Sequence, residues 1–413
     1  MEGQERTILI GCQIQTEDDR SFQSSMEELK ALAETVNAEI IETFTQKRNQ
    51  IHSSYYIGTG KTEDIKHFIE DQDIQVAIIN SELTPSQARN LSNTWDIKII
   101  DRTQLILDIF AMRARTKEGK LQVELAQLEY MLPRLQGQGE ALSRLGGGIG
   151  TRGPGETKLE TDRRHIRNRI TDIKRSLEQV VKQRKQYREN RKRRSAFQIS
   201  IVGYTNAGKS TLFNRLTDEK SLEEDKLFAT LDPLTRKITL PSGFHALVSD
   251  TVGFIQKLPT TLVAAFRSTL EEVTEADFIL HVVDCSDDDA IEHEKTVKEI
   301  LKELNADHLP ILTVYNKADL LDQEFFPFTQ PSIQLSALNH DDLTKLKLKI
   351  EEVLKDEWEH YDVFISPSEG KLLNRLKQDS IVELEKYAED EDAFHVTGFI
   401  DSDMPLYNQL QSE

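Results

Sequence analysis

The stretch FQISIVGYTNAGKSTLFNRL, Phe197 to Leu216, decides the fold. FQISIVG is an apolar run of strand length, and STLFNRL spaces its apolar residues as a helix does. Between them Gly203, Gly208, Lys209 and Ser210 stand in the phosphate-loop spacing G-x-x-x-x-G-K-S. Strand, glycine loop and helix in that order predict a P-loop domain built on a mostly parallel α/β sheet. The glycines let the backbone N–H groups of Tyr204, Thr205, Asn206, Ala207 and Thr211 face phosphates at a helix N-terminus. Lys209 bridges the outer phosphates, and the Ser210 hydroxyl is a Mg²⁺ ligand.

Downstream segments arrive in the order a guanine-nucleotide site requires. After the strand HALVSD, Asp250 is the carboxylate for Mg²⁺, and Thr251, Val252 and Gly253 present N–H groups to a γ-phosphate. ILTVYNKADL ends a further strand on Asn316, Lys317 and Asp319. The Asp319 carboxylate accepts from guanine N1–H and the exocyclic amine, donors that adenine lacks, so the base is chosen by which partners would go unpaired. SIQLSAL then places Ser336, Ala337 and Leu338 with N–H groups toward guanine O6. Each tripeptide is weak evidence by itself; four in series, each after a strand, specify GTP. In LFATLDPLTR, Phe228 and Ala229 precede Thr230, which is chosen over Thr235 as the residue reaching γ-phosphate and Mg²⁺. The residues expected to act in turnover are Lys209, Thr230 and Gly253. Where many GTPases carry a glutamine that orients the attacking water, this chain has Phe254, which has no hydrogen-bonding group. Slow intrinsic hydrolysis follows, with a partner ordering the switch; Gln256 is the weaker candidate to replace the glutamine.

Composition bounds the rest. The chain has 413 residues, room for two to four domains at roughly 100–200 residues each. Its 38% hydrophobic content supports several cores and argues against wholesale disorder. Two cysteines, Cys12 and Cys285, exclude a disulfide framework. No run of about 18 apolar residues occurs, and the first residues lack a secretion pattern, so a cytoplasmic protein with no membrane insertion is expected. Fifty-two Lys and Arg stand against 71 Asp and Glu, a net charge of −19. The cations are concentrated: Arg163 to Arg194 holds 14 of them and three acids. That local excess of +11 within an acidic chain reads as a face for a polyanion, the alternative being a solvated charged helix.

Residues 1–116 alternate strand runs (TILIGC, AEIIETF, VAIIN, IKIID) with helical stretches, a small parallel α/β unit. Within it YIGTGK, Tyr55 to Lys61, lacks the second half of a P-loop and reads more simply as turn chemistry. Residues 117–195 carry two narrow seams, Leu121, Leu125, Leu128, Leu132, Leu135 and Ile166, Ile170, Ile173, Leu177, Val180. These predict an antiparallel helical hairpin. Its tip, about 137–158, contains eight of the 19 glycines with Arg144, Arg152 and Lys158. A linker is one reading; a bare backbone that approaches phosphates and base edges is the other. Residues 196–358 form the nucleotide domain, and 359–413 a small acidic α+β appendage that either packs on it or meets a partner.

Together the phosphate loop, LFATLDPLTR, DTVGF and GGGIGTRGPGETKLE before a basic helix resemble HflX-type GTPases over nearly the whole chain. The resemblance implies a GTPase using Mg²⁺ that binds the large ribosomal subunit and splits stalled or idle ribosomes, monomeric off the ribosome and without a DNA partner. It also implies ribosomal RNA contacts from Arg144, Gly146, Gly147, Gly148, Arg152, Lys158, Arg163 and Arg164. Two alternatives stay open: a nucleotide-gated RNA chaperone or subunit-assembly factor, and a signalling GTPase with a protein partner.

Overall fold

The structure is a computed structural model that describes residues 5–135, 154–193, 197–217, 228, 234–251, 253–255, 273–321 and 323–410, with α-helical side chains described over 161–180 and 182 of the long basic helix. The chain divides into two compact units, 1–180 and 181–413, with short segments around 226–228 and 257–266 counted in the first.

The first unit is built on four parallel strands, β1 (Arg6–Ile14), β2 (Glu39–Arg48), β3 (Val76–Ile79) and β4 (Lys98–Asp101), in the order β2-β1-β3-β4. Helices α1 (Asp19–Thr35), α2 (Thr59–Gln72), α3 (Pro85–Trp95) and α4 (Arg102–Arg113) connect or follow them. Each start has a local cause. Asp18 accepts from the first N–H groups of α1, Thr84 and Gln87 form a capping box on α3, and Asp101 caps α4. Ile8, Ile10, Ile65, Ile79, Leu91 and Trp95 fill the core. YIGTGK is a turn followed by the start of α2: Tyr56 has φ 68°, and the Gly58 N–H donates to Gln46 Oε1 at 2.8 Å.

Helix α5 (Lys117–Arg134) buries Val123, Leu125, Ala126 and Tyr130 and packs mainly on α4, so only part of the leucine seam is core. Helix α6 spans Pro154–Arg193, and Ile173 is the buried member of its seam. Pro154 opens this helix, so 154–158, counted above with the glycine-rich tip, has helical backbone. Arg169 pairs with Glu124 at 2.6 Å and Lys174 with Glu129 at 2.8 Å. These two ion pairs tie α6 to α5.

The second unit holds a six-stranded sheet of β5 (Phe197–Gly203), β6 (Leu234–Thr239), β7 (His245–Asp250), β8 (Phe278–Asp284), β9 (Ile311–Asn316) and β10 (Ser332–Gln334). Its order is β10-β9-β8-β5-β7-β6, parallel except for β6 against β7. Helices α7 (Lys209–Leu216), α8 (Ala290–Glu303) and α9 (His340–Glu357) belong to it. An antiparallel sheet follows, β11 (Glu359–Ile365), β12 (Ile381–Ala388) and β13 (Ala393–Ile400), ordered β11-β13-β12, with α10 (Gly370–Asp379) and α11 (Pro405–Leu410). The last 50 residues do not make a separate core. Ile365, Leu376, Ile381, Val396 and Ile400 lie in one cluster with Phe197, Val248, Leu280 and Ile350, and Trp358 meets Phe197 and Phe244 edge-on at 5.4 and 5.2 Å. Among the described residues no helix is long and apolar enough to cross a membrane, and both cysteines are buried and unbridged.

Candidate functional site

At the carboxyl end of β5 the backbone turns at Gly203, where φ is +157° and an added Cβ would lie 2.2 Å from the Val282 carbonyl oxygen of β8. Only glycine fits so close to a neighbouring strand. The loop continues through Asn206 at φ 62° and closes at Gly208, φ 89°, the N-cap of α7. A Cβ on Gly208 would meet Asn316 Nδ2 at 2.2 Å, so the second glycine makes room for a side chain from β9.

Asn316, buried at the end of β9, joins the two halves of the site. Its Nδ2 donates to Ala207 O at 2.9 Å, and its Oδ1 accepts from the Ala337 N–H at 2.9 Å. The phosphate loop and the Ser336 to Leu338 loop are thus tied together through one amide. Lys317, in left-handed backbone, is pinned to Asp284 Oδ2 at 2.7 Å, and Asp319 sits exposed in the short turn Ala318–Leu320. Two of the N–H groups expected to face guanine O6 have protein acceptors: Ser336 donates to Asp342 Oδ2 at 3.1 Å, and Ala337 to Asn316. The Leu338 N–H meets Ser336 Oγ at 3.3 Å.

Lys209 Nζ donates to Tyr204 O at 2.6 Å. Burial pushes its ammonium down to about 8, against the partial support of the Asp250 charge. A buried, poorly compensated ammonium is primed for an anion, and phosphate oxygens are what this loop is shaped to admit. Beside it, Ser210 Oγ donates to Asp250 Oδ2 at 2.9 Å, and Thr251 Oγ1 donates to Ile201 O at 2.6 Å. A hydroxyl and a carboxylate in contact at a phosphate loop are hard oxygen donors that fit Mg²⁺, which takes one or two protein ligands and completes its shell with phosphate and water. Gly253 approaches the loop closely, since a Cβ there would lie 2.8 Å from Thr205 Cγ2 and 3.0 Å from Lys209 Nζ.

Phe254 is 2% exposed, and its backbone bridges the phosphate loop: Thr205 N–H donates to Phe254 O at 2.8 Å and Phe254 N–H to Gly203 O at 3.1 Å. Its ring is core, not water-facing. Phe228 is buried within the first unit, its ring edge-on to Phe110 at 4.6 Å. Ala229, Thr230 and Val252, and of the RNA candidates Arg144, Gly146, Gly147, Gly148 and Arg152, lie outside the described residues, as does Gln256. Lys158, Arg163 and Arg164 are on α6.

Three contributors are not legible from motifs. His293 of α8 stacks on Tyr204 at 3.8 Å, Asp284 pins Lys317, and Asp342 holds the Ser336 N–H. Only Asp284 leaves a trace in the sequence, as the acid ending the strand before the NKAD strand.

Comparison with known proteins adds three family profiles in series: GTP-binding GTPase N-terminal over 23–111, GTP-binding GTPase Middle Region over 113–191, and 50S ribosome-binding GTPase over 198–317. The chain is 54% identical over 408 residues to the GTPase HflX of Alkalihalophilus pseudofirmus, covering 98% of this chain and 96% of that one. It is 42% identical over 372 residues to the GTPase HflX of Escherichia coli strain K12, covering 88% and 87%. Among solved structures, a GTP-binding protein of Sulfolobus solfataricus in complex with GDP matches 84% of this chain and 98% of that chain, at 26% identity and TM-score 0.45.

Proposed function

The chain belongs to the HflX family of GTP-hydrolysing enzymes, and from that premise we propose that it is a nucleotide-controlled factor of the large ribosomal subunit that separates stalled or idle ribosomes. The observation that carries the nucleotide half is the Asn316 bridge, which ties the phosphate loop to the base loop through one side chain. Preorganisation of this kind lowers the ordering cost of binding. Asp319 selects guanine; Lys209 exchanges the Tyr204 carbonyl for β- and γ-phosphate oxygens; Gly253 and Thr230 read the γ-phosphate. Ser210, Asp250 and Thr230 would hold Mg²⁺, which would neutralise charge developing on the phosphates.

With Phe254 buried, the chain has no side chain at that position to orient water, so hydrolysis alone is slow and the partner completes the site. The polyanion half rests on charge. Arg163 to Arg194 presents 14 cations in an otherwise acidic chain, directly after a glycine-rich segment, and the nucleotide domain matches a ribosome-binding GTPase profile. GTP would favour the bound form and hydrolysis its release. Controlling occupancy over a wide range needs a preference of about 5 kcal/mol between GTP and GDP forms. The test is sedimentation of the protein with large subunits, with GTP analogue or GDP, across salt. Binding that requires the analogue and weakens steeply between about 50 and 200 mM salt supports the reading. Binding insensitive to both nucleotide and salt sinks it and favours a protein-partner switch.

A further inference from the structure

Two parts of the nucleotide site hang on one peptide unit, Tyr204–Thr205. Its oxygen accepts Lys209 Nζ at 2.6 Å and the Ala207 N–H at 3.4 Å. Its N–H donates to Phe254 O at 2.8 Å, and with the return bond from the Phe254 N–H to Gly203 O it makes a parallel bridge between the phosphate loop and the segment after Asp250. That bridge brings Gly253 against the loop, where an added Cβ would lie 3.0 Å from Lys209 Nζ. The loop's cation and the Gly253 backbone are therefore located by the same few atoms.

The Tyr204 side chain, 6% exposed, is held in turn by His293 in the first turn of α8. The two rings lie 3.8 Å apart at an interplanar angle of 12°, a face-to-face stack. His293 Nδ1 is 3.6 Å from Asp287 Oδ2, and the other oxygen of that carboxylate accepts the Asp289 N–H at 2.8 Å, which ties the imidazole to the turn that starts the helix. Ala290, Val297 and Leu301 of α8 fill the core beneath the helix, whereas His293 covers the phosphate loop. Planar rings in contact restrict one another's orientation, so the stack limits how the Tyr204–Thr205 peptide can turn.

We infer that His293 is a positioning residue for the γ-phosphate end of the site: by stacking on Tyr204 it sets Lys209 and Gly253 where the third phosphate arrives, and so contributes to the preference between GTP and GDP. The inference rests on the nucleotide reading above. GDP draws its affinity from Asp319, from the loop N–H groups and from the Asn316 tie at Ala207, none of which passes through the stack. The γ-phosphate draws on Lys209 and Gly253, and both are placed by Tyr204.

The test uses the full chain as wild type, His293→Ala, His293→Phe, Tyr204→Leu and the double variant Tyr204→Leu/His293→Ala. Each is titrated in Mg²⁺ with a fluorescent GDP and with a fluorescent non-hydrolysable GTP analogue, and the ratio of the two affinities is read. In His293→Ala the ratio of GTP-analogue to GDP affinity should fall about 3- to 10-fold, the range one aromatic pair supplies. His293→Phe keeps a planar ring without the contact to Asp287, and should stay within about twofold of wild type. The double variant should lose no more than Tyr204→Leu does alone, because both substitutions remove the same stack. An unchanged ratio in His293→Ala overturns the inference, whether the two affinities hold or fall together, the second case marking general destabilisation. A His293→Phe variant as impaired as His293→Ala overturns it too, as do losses that add in the double variant. If His293→Ala does not fold, His293→Leu fills the space without a planar face and carries the same expectations. Wild type that binds neither nucleotide is a separate result, and defeats the nucleotide reading instead.

Discussion

Asn316→Ala removes a side chain that joins phosphate loop to base loop. Its two hydrogen bonds, both 2.9 Å, serve the Ala207 carbonyl and the Ala337 N–H, in residues 1% and 3% exposed. Each lost bond leaves a buried backbone group unsatisfied, at about 1–3 kcal/mol apiece. The variant should therefore lose about 2–6 kcal/mol of combined stability and site organisation. Thermal unfolding and titration with a fluorescent GDP analogue divide that loss: a lower melting temperature together with GDP affinity reduced at least about tenfold is expected. Val314→Ala is the control. It lies on the same strand, its side chain is core, and truncating it costs stability through a cavity without touching either loop, so GDP affinity should stay within about twofold. The bridge has no such role if Asn316→Ala binds GDP as wild type does, or if Val314→Ala loses as much affinity.

Asp319→Asn should turn preference from guanine to xanthine nucleotides, read by competition with the four diphosphates; retained guanine selectivity would reject the base assignment. Gly208→Ala forces a Cβ to within 2.2 Å of Asn316 Nδ2 at a φ of 89°, so GDP affinity should fall at least about tenfold even where the protein stays folded. Trp358→Ala removes two edge-to-face contacts of a half-buried ring with Phe197 and Phe244 and should cost about 1–3 kcal/mol in denaturant unfolding; a second transition for the C-terminal strands would contradict the shared core.

Elements with local causes are legible in the sequence. The strand, loop and helix around Gly203 to Lys209, the NKAD strand end and the strands and helices of the first unit all follow from period, glycine and capping residues. Relations between distant segments are not. That Asn316 serves Ala207 and Ala337 depends on β9 lying two places from β5 in the sheet, across β8, and no spacing encodes it. The leucine seam of α5 suggests a partner helix, yet Val123, Ala126 and Tyr130 turn it toward α4, while ion pairs tie its polar side to α6. An apolar seam says that a helix is covered, not by what. The acidic appendage reads as separate because composition changes there, while its inward residues complete the core of the sheet before it.

The account's central claim is that nucleotide turnover is coupled to the ribosome. It is tested most directly by the GTP hydrolysis rate of the purified protein alone, with large subunits and with intact ribosomes, while ribosome sedimentation is followed in the same samples. The account predicts a slow basal rate that rises many-fold with large subunits, and separation of intact ribosomes in the presence of a non-hydrolysable GTP analogue. A hydrolysis rate and a sedimentation profile both unchanged by mixing the two would contradict it.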